Sequence, residues 1–442
     1  MRRAVAAAAV AALAFAAPAA ASSITETQCF QGSGVDRGCT ENTGLAGAAA
    51  VAVSPDGRNV YVGANVEEHG QLLVYRRDPA TGTLTQTACF AERNRDGCTA
   101  DEALFGVNDV AISRDGSTVY ALGILPGSVG VFQRDPSSGD LTSVQCFQEG
   151  YADLVGCPRV RFENPWKFAL SADGKELVVL GSHVTRFTVG ADGLLSDPVD
   201  QRLRGVRNPQ AIIAGRGART MYAAGGEDDR GRISVLDRNP ATGVLAIRAC
   251  SGDVQSGTDC RRATGVDGPA DLALSPDGRA FYLAASGFAS RNPDNPFALD
   301  GTILSSAVSV FAPQRAAQTA CLLYTGREAN RAGCHHGPTA RGAGFQGAST
   351  LAVTPNGKAV IAGFNKSSAV ALLLRNPKTQ SLSPAPGVRG CVRDATRTRM
   401  IPRGCATGHG IYQPADVAIS PDSRNAYVAT PGGLVVFTLA LD

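Results

Sequence analysis

One short phrase returns seven times along this chain, and it limits the possible folds more than any other feature. It reads VAVSPDGRNVYVGA from Val51, VAISRDGSTVYALG from Val110, FALSADGKELVVLG from Phe168, LALSPDGRAFYLAA from Leu272, LAVTPNGKAVIAGF from Leu351 and VAISPDSRNAYVAT from Val417. A degenerate copy, AIIAGRGARTMYAA, starts at Ala211. Each copy joins an apolar, β-branched run to a second one through a Pro-Asp-Gly type turn. Gly and Asp tolerate the backbone angles of a tight hairpin, so each copy predicts one. Ser54 to Ser420 makes six steps over 366 residues, or 61 per repeat.

The rest of each repeat supplies two further strands. A third run, such as LLVYRRDPATG from Leu72 or VGVFQRDPSSG from Val129, ends in an Asp-Pro or Asn-Pro turn. A fourth, such as LTQTACF from Leu84, follows it. Four antiparallel strands repeated seven times predict an all-β, seven-bladed β-propeller. Its strands are named a to d outward from the axis. The C-terminus stops after a third-type strand (LVVFTLAL from Leu434), whereas ITETQCF near the N-terminus is a fourth-type strand. The N-terminal strand is therefore expected to complete the last blade and close the ring, which removes two exposed sheet edges.

Twelve cysteines fall into six neighbouring pairs: Cys29 with Cys39, Cys89 with Cys98, Cys146 with Cys157, Cys250 with Cys260, Cys321 with Cys334, and Cys391 with Cys405. An even count in an exported chain reads as disulfides. Zinc is the rival reading, but the spacings are long and most pairs have no histidine partner.

Export itself is read from the first residues. Arg2 and Arg3 precede an apolar run over residues 4–17, too short to span a bilayer, and Ala19-Ala20-Ala21 is a small-residue cleavage site. The expected organisation is a signal peptide at 1–21 and one propeller domain at 22–442. No lipid-carrying cysteine sits at the cleavage site and no later run is long enough for a membrane helix, so a secreted or extracellular monomer is expected. The formal charge of +3 says little about partners, and basic loops lack the interleaved aromatics that specific nucleic-acid readout needs. Gly342-Ala343-Gly344-Phe345-Gln346-Gly347 matches a dinucleotide fingerprint by letter, but it precedes a strand rather than opening a helix.

The run Ser54-Pro55-Asp56-Gly57-Arg58-Asn59-Val60-Tyr61-Val62 resembles the repeat of bacterial surface propellers named for their Tyr-Val-Thr-Asn motif. It is also similar to the repeats of seven-bladed lactonase-type propellers. The resemblance covers nearly all of the chain at repeat level and specifies blade construction rather than chemistry.

Two places are candidates for function. Alternating strand direction puts the short a–b and c–d turns on one face of the disc. The b–c loops and d–a crossings, with every cysteine loop and the long insertion at 286–306, lie on the other. Two adjacent crossings there are basic: Arg327, Arg331, His335, His336 and Arg341, then Arg393, Arg397, Arg399 and Arg403. Arginines in such number suit an anionic glycan, a wall polymer or an acidic protein surface. The alternative is solvated loop charge. The second candidate is the mouth of the central channel. Four residues before the Ser54-type position the copies carry Ala50, Asp109, Lys167, Gln210, Asp271, Thr350 and Asp416. Asp109, Asp271 and Asp416 around one hole could hold a divalent cation, which would polarise a lactone carbonyl and activate water. The competing reading has each Asp bonding nearby backbone N–H groups. Lys167, with Trp166 beside it, is the odd member of the ring. The function expected from all this is a secreted binding scaffold with its ligand on the loop face or channel mouth. The alternative is a lactonase-like hydrolase at the channel, with or without a metal.

Overall fold

The computed structural model describes residues 21–442 except 33–37, 67–68, 95–96, 125–126, 151–153, 155, 204, 207, 228–229, 253–259, 288, 293–294, 304–305, 326–333, 337–344 and 397–401. Residues 1–20 are outside this set, so the signal-peptide reading lies outside the described residues.

Seven antiparallel blades form a closed ring. Blade 1 runs Ala48–Val53, Asn59–Val66, His69–Arg77 and Leu84–Ala91 as strands a to d. Blade 7 takes strands a to c from the C-terminus and strand d, Ser23–Gln31, from the N-terminus. Ser23 lies opposite Ala440 and Gln31 opposite Gly433, so the ring closes as the sequence predicts.

The core lies between blades. At the seam of blades 1 and 2, Tyr61, Leu72, Val74 and Phe90 pack on Val107, Val110, Val119 and Phe132. Strands b and c meet a neighbouring blade on both faces, so Thr118–Gly123 is buried at every position. Outer strands such as Leu84–Ala91 alternate instead. Each fully buried side chain of this size contributes about 1.5–3 kcal/mol. The repeated Ser-Pro-Asp-Gly turn has a direct cause. The Ser54 hydroxyl donates to Asp56 Oδ1 (2.6 Å) and accepts from Asn59 N, while Gly57 takes φ +69. The same Asp then anchors an arginine of the next blade. Arg134 donates to Asp56 (2.7 Å) and the Tyr61 hydroxyl (2.8 Å), and Arg77, Arg238 and Arg375 make equivalent contacts at three further seams.

Three local features depart from the repeat reading. Six blades carry a fifth strand of two or three residues, parallel to strand d on the rim, as Thr99–Ala100 does beside Phe90 and Ala91. These are the six blades with cysteine pairs, and all six nearest-neighbour disulfides form as expected. Cys29 bonds Cys39, Cys89 bonds Cys98 and Cys146 bonds Cys157. Cys250 bonds Cys260, Cys321 bonds Cys334 and Cys391 bonds Cys405. The first cysteine of each pair is on strand d. The second keeps the expected loop position in five pairs, and Cys334 departs from it, lying on a fifth strand, Cys334–His336. Cys39, Cys98, Cys260 and Cys405 each immediately precede a fifth strand, and Cys157 stands two residues before Arg159–Val160. Each bond therefore pins a rim strand rather than closing a free loop, because its two Cα atoms are brought to the spacing of adjacent strands. Blade 3 has no cysteine, and no fifth strand among its described residues. At its rim His183 lies between Asp200 (2.9 Å) and Glu163 (2.9 Å). Strand d of blade 6 is broken into Leu382–Pro384 and Cys391–Asp394, because Pro384 and Pro386 cannot donate to the ladder. The insertion at 286–306 forms its own hairpin, Ala289–Asn292 against Asn295–Ile303.

Candidate functional site at the channel mouth

Each innermost strand begins with a β-bulge, two residues opposing one. In blade 1 Ala49 is the extra residue, and Ala50 pairs with Gly63. The bulge re-aims two successive side chains and builds two layers around the axis. The outer layer is Ala49, Asn108, Trp166, Gln210, Ala270, Ser349 and Ala415, and all seven line one cavity of about 590 Å³. The inner layer is Ala50, Asp109, Lys167, Ala211, Asp271, Thr350 and Asp416.

This corrects one expected ring member. Gln210 belongs to the outer layer, and Ala211 takes the inner position, pairing with Ala224. The degenerate turn has the same length as the others, and the copy lies in register from Ile212 rather than Ala211, with Tyr222 seven residues after Gly215 as Tyr61 is after Ser54. Gly215, rather than Ala214, therefore plays the part of Ser54, bonding Thr220 O as Ser54 N bonds Asn59 O.

The inner carboxylates are seam clamps. Asp109 accepts from Val110 N (3.1 Å) on its own strand and Phe168 N (3.0 Å) on the next blade. Asp271 does the same with Leu272 N (2.7 Å) and Leu351 N (2.9 Å), and also receives the Thr350 hydroxyl. Asp416 bonds Val417 N and Val51 N, both at 2.8 Å. The backbone-bonding reading thus holds, and each bond set reaches across a seam. Burial and the nearby Asp416 charge push the Asp271 carboxyl up to about 7. Burial also raises Asp109, against the pull of Lys167. For Lys167 burial works against the charge, but Asp109, at 3.6 Å, and the other two carboxylates outweigh it and hold the ammonium protonated. Among the described residues no group of three or more His, Cys, Asp or Glu side chains is placed to hold a metal ion. The ring carboxylates do not converge as a ligand set.

The mouth above them is polar and aromatic. Trp166 is 40% exposed, where the other blades place Ala, Ser, Asn or Gln. Asn108, Asn208, Gln210, Asn365 and Gln413 bring five side-chain amides, and Lys167 and Lys366 bring two cations. The residue two before each bulge has positive φ in all seven blades: Gly47, Gly106, Gly268 and Gly347, but Asn164, Asn208 and Gln413 in the other three. A left-handed backbone costs little at Gly, more at Asn and most at Gln. Asn208 and Gln413, two of the three that forgo glycine, point functional groups into the mouth wall. The sequence signalled Lys167 and Trp166 as odd members. It did not signal Lys366, Asn365, Asn208 or Gln413, because they sit in loops without repeat periodicity.

Arg327, Arg331, Arg341, Arg397 and Arg399 lie outside the described residues. His335 and His336 fall on the fifth strand of blade 5, paired with Leu322 and Leu323, rather than on a loop. Arg393 is on Cys391–Asp394, half-buried, and Arg403 is in an exposed turn. Neither Arg393 nor Arg403 lines the mouth cavity.

A closed ring of seven antiparallel blades around a solvent-reached axis is a seven-bladed β-propeller, a class in which concave polar mouths are the usual sites. Within that class, residues 8–153 of the chain match the family model described as Lactonase, 7-bladed beta-propeller. Among solved structures it is similar to hydrazine synthase from Kuenenia stuttgartiensis, at 15% identity over 92% of this chain and 100% of that one, TM-score 0.58. It is similar to a proposed 6-phosphogluconolactonase from Bacteroides fragilis, at 14% identity over 82% and 93%, TM-score 0.55. It is also similar to the periplasmic gluconolactonase of Pseudomonas aeruginosa, at 16% identity over 83% and 95%, TM-score 0.54. At such identities the likeness carries the fold alone. No curated protein matches the chain. Six disulfides mark an oxidising, extracytoplasmic setting, and no helix among the described residues is long and apolar enough to cross a membrane.

Proposed function

We propose that the protein, exported behind residues 1–21, binds a small polyhydroxylated acid or its lactone in the channel mouth. The observation that carries this reading is Trp166, an aromatic face left open in a wall of amides between two lysines. An indole face packs on the C–H surface of a sugar ring. Amides donate to and accept from hydroxyls, and Lys167 and Lys366 pair with an acid group. A volume of about 590 Å³ suits a small ligand. The match of residues 8–153 to the lactonase family model supports the substrate class.

Trp166 is the single tryptophan of the chain, so intrinsic fluorescence reports on the mouth alone. Titration with gluconate and δ-gluconolactone, each with and without a 6-phosphate, should give a saturable change in that emission. Lys366→Met should weaken the acid or phosphorylated ligand at least tenfold. A flat signal with all four ligands would overturn the reading.

Hydrolysis is the second reading, favoured by Asp271. A carboxyl with its pKa near 7 suits general-base work at neutral pH. Both its oxygens already accept backbone N–H bonds, which argues for binding first. Lactone turnover that disappears in Asp271→Asn while the fluorescence titration persists would make the mouth an active site.

A further inference from the structure

A second concavity, of about 570 Å³, opens on the outer wall of the ring at the seam of blades 4 and 5. Three arginines line it, from three separately anchored elements. Arg248 lies on strand d of blade 4, Leu245–Gly252. Arg261 lies on the fifth strand, Arg261–Arg262, held to strand d by the Cys250–Cys260 disulfide. Arg315, with Gln314 beside it, is on the turn between Ser306–Ala312 and Ala317–Thr325 of blade 5. Among the described residues no acidic side chain lines the cleft. Arg248 pairs with Asp237 at 2.6 Å, a carboxylate that is itself half exposed. Among the described residues neither Arg261 nor Arg315 has an ion-pair partner.

Other seams neutralise their arginines. Arg77, Arg134, Arg238 and Arg375 each reach an Asp of the preceding blade's turn. At this seam that pair is absent, with Gly217 at the turn position and Ala312 where the others carry the arginine, so the cleft's arginines are a separate set. Like charges that share one concavity repel unless an anion enters, the more so the less salt screens them. Guanidinium forks fit tetrahedral and planar oxyanions through paired N–H donors, and Gln314 adds a neutral donor.

We propose that this cleft is an oxyanion site that takes a phosphate or sulfate group, separate from the mouth. Its opening on the outer wall leaves room for the rest of a larger ligand to run outward. The test uses the full chain, with inorganic phosphate and inorganic sulfate titrated by calorimetry at low salt, and with elution from immobilised heparin in a salt gradient. Saturable phosphate or sulfate binding is expected in the intact protein, weakened at least tenfold in Arg261→Ala/Arg315→Ala. Arg262→Ala, the neighbour that does not line the cleft, should bind as the intact chain does. Retention on heparin that is lost in the double variant places the group on a polymer. Binding of the free ions without retention places it on a small ligand. Absence of saturable ion binding, or equal binding by the double variant, overturns the site. These side chains are exposed, so unchanged thermal melting of the double variant without ligand separates loss of binding from loss of fold.

Discussion

At the level of single residues the channel shows how one side chain can serve construction and titration together. Asp271 holds two blades through Leu272 N and Leu351 N, yet its carboxyl stays protonated to about pH 7. The unfolded chain loses that proton near its ordinary value of 3.8. Between these values the folded state binds more protons than the unfolded one, so this group's contribution falls as pH rises through that window and levels off above it. Solvent in the channel reduces the effect to about 1–2 kcal/mol. Asp56, Asp115, Asp173, Asp277 and Asp422 act oppositely. For Asp115 the Ser113 hydroxyl is the leading cause; for the other four the hydroxyl and arginine bonds outweigh burial. All are held below the ordinary carboxylate value, and what they contribute is lost only as pH falls through that lower range. Thermal midpoints from pH 4.5 to 7.5 should therefore decline in the intact protein and decline less in Asp271→Asn. Parallel curves would show that the carboxyl is ordinary. The three ring aspartates were legible in the sequence because they recur at one repeat position. Their role across the seam was not, because it depends on which residue of the next blade comes within 3 Å.

At the level of the element, the fifth strands show where repeat reading stops. Strands a to d announce themselves by β-branched runs and turn residues. Thr99–Ala100 and its counterparts are too short to show any period. The cysteines were their signal, since each pair needs two chain segments side by side. Register slips are equally invisible: the degenerate turn lacks the Ser and Asp that mark the register elsewhere, so a shift of one residue moves Gln210 from one layer to the other without changing composition. Blade 3 serves as the internal comparison. Replacing Cys89 and Cys98 together by Ala should cost about 2.5–3 kcal/mol in urea unfolding, from the freed loop in the unfolded chain. It should also raise amide exchange at Asp101, whose N–H bonds Ala91 O, without altering exchange in blade 3. A loss well under 1 kcal/mol would mean that the fifth strand holds its place without the bond.

For the whole molecule the decisive feature is that no blade is an end. Seven seams bury the core, and each seam needs both neighbours. The last blade borrows its outer strand from residues 23–31, whose eight paired positions run from Ser23–Ala440 to Gln31–Gly433. Removing residues 22–42 would uncover the edge of Gly433–Ala440, an apolar strand with six buried positions of eight, and free edges of that kind pair with other chains. The deleted protein should therefore associate in size-exclusion chromatography and lose its single sharp melting transition. The remedy is geometric. Asp442 N lies 3.1 Å from the Ser22 hydroxyl, so a short turn can join the C-terminus to residue 22. A circular permutant that starts near Leu45 and carries residues 22–42 after Asp442 keeps every strand pair and the Cys29–Cys39 bond. It should melt within a few degrees of the intact chain and elute as the same species, because the ring is defined by its seams and not by where the chain is cut. If the deleted protein behaved like the intact one, strand pairing in blade 7 would not be what closes the ring. If the permutant failed while the deletion behaved as expected, the order in which the blades form would matter as much as the closed ring itself.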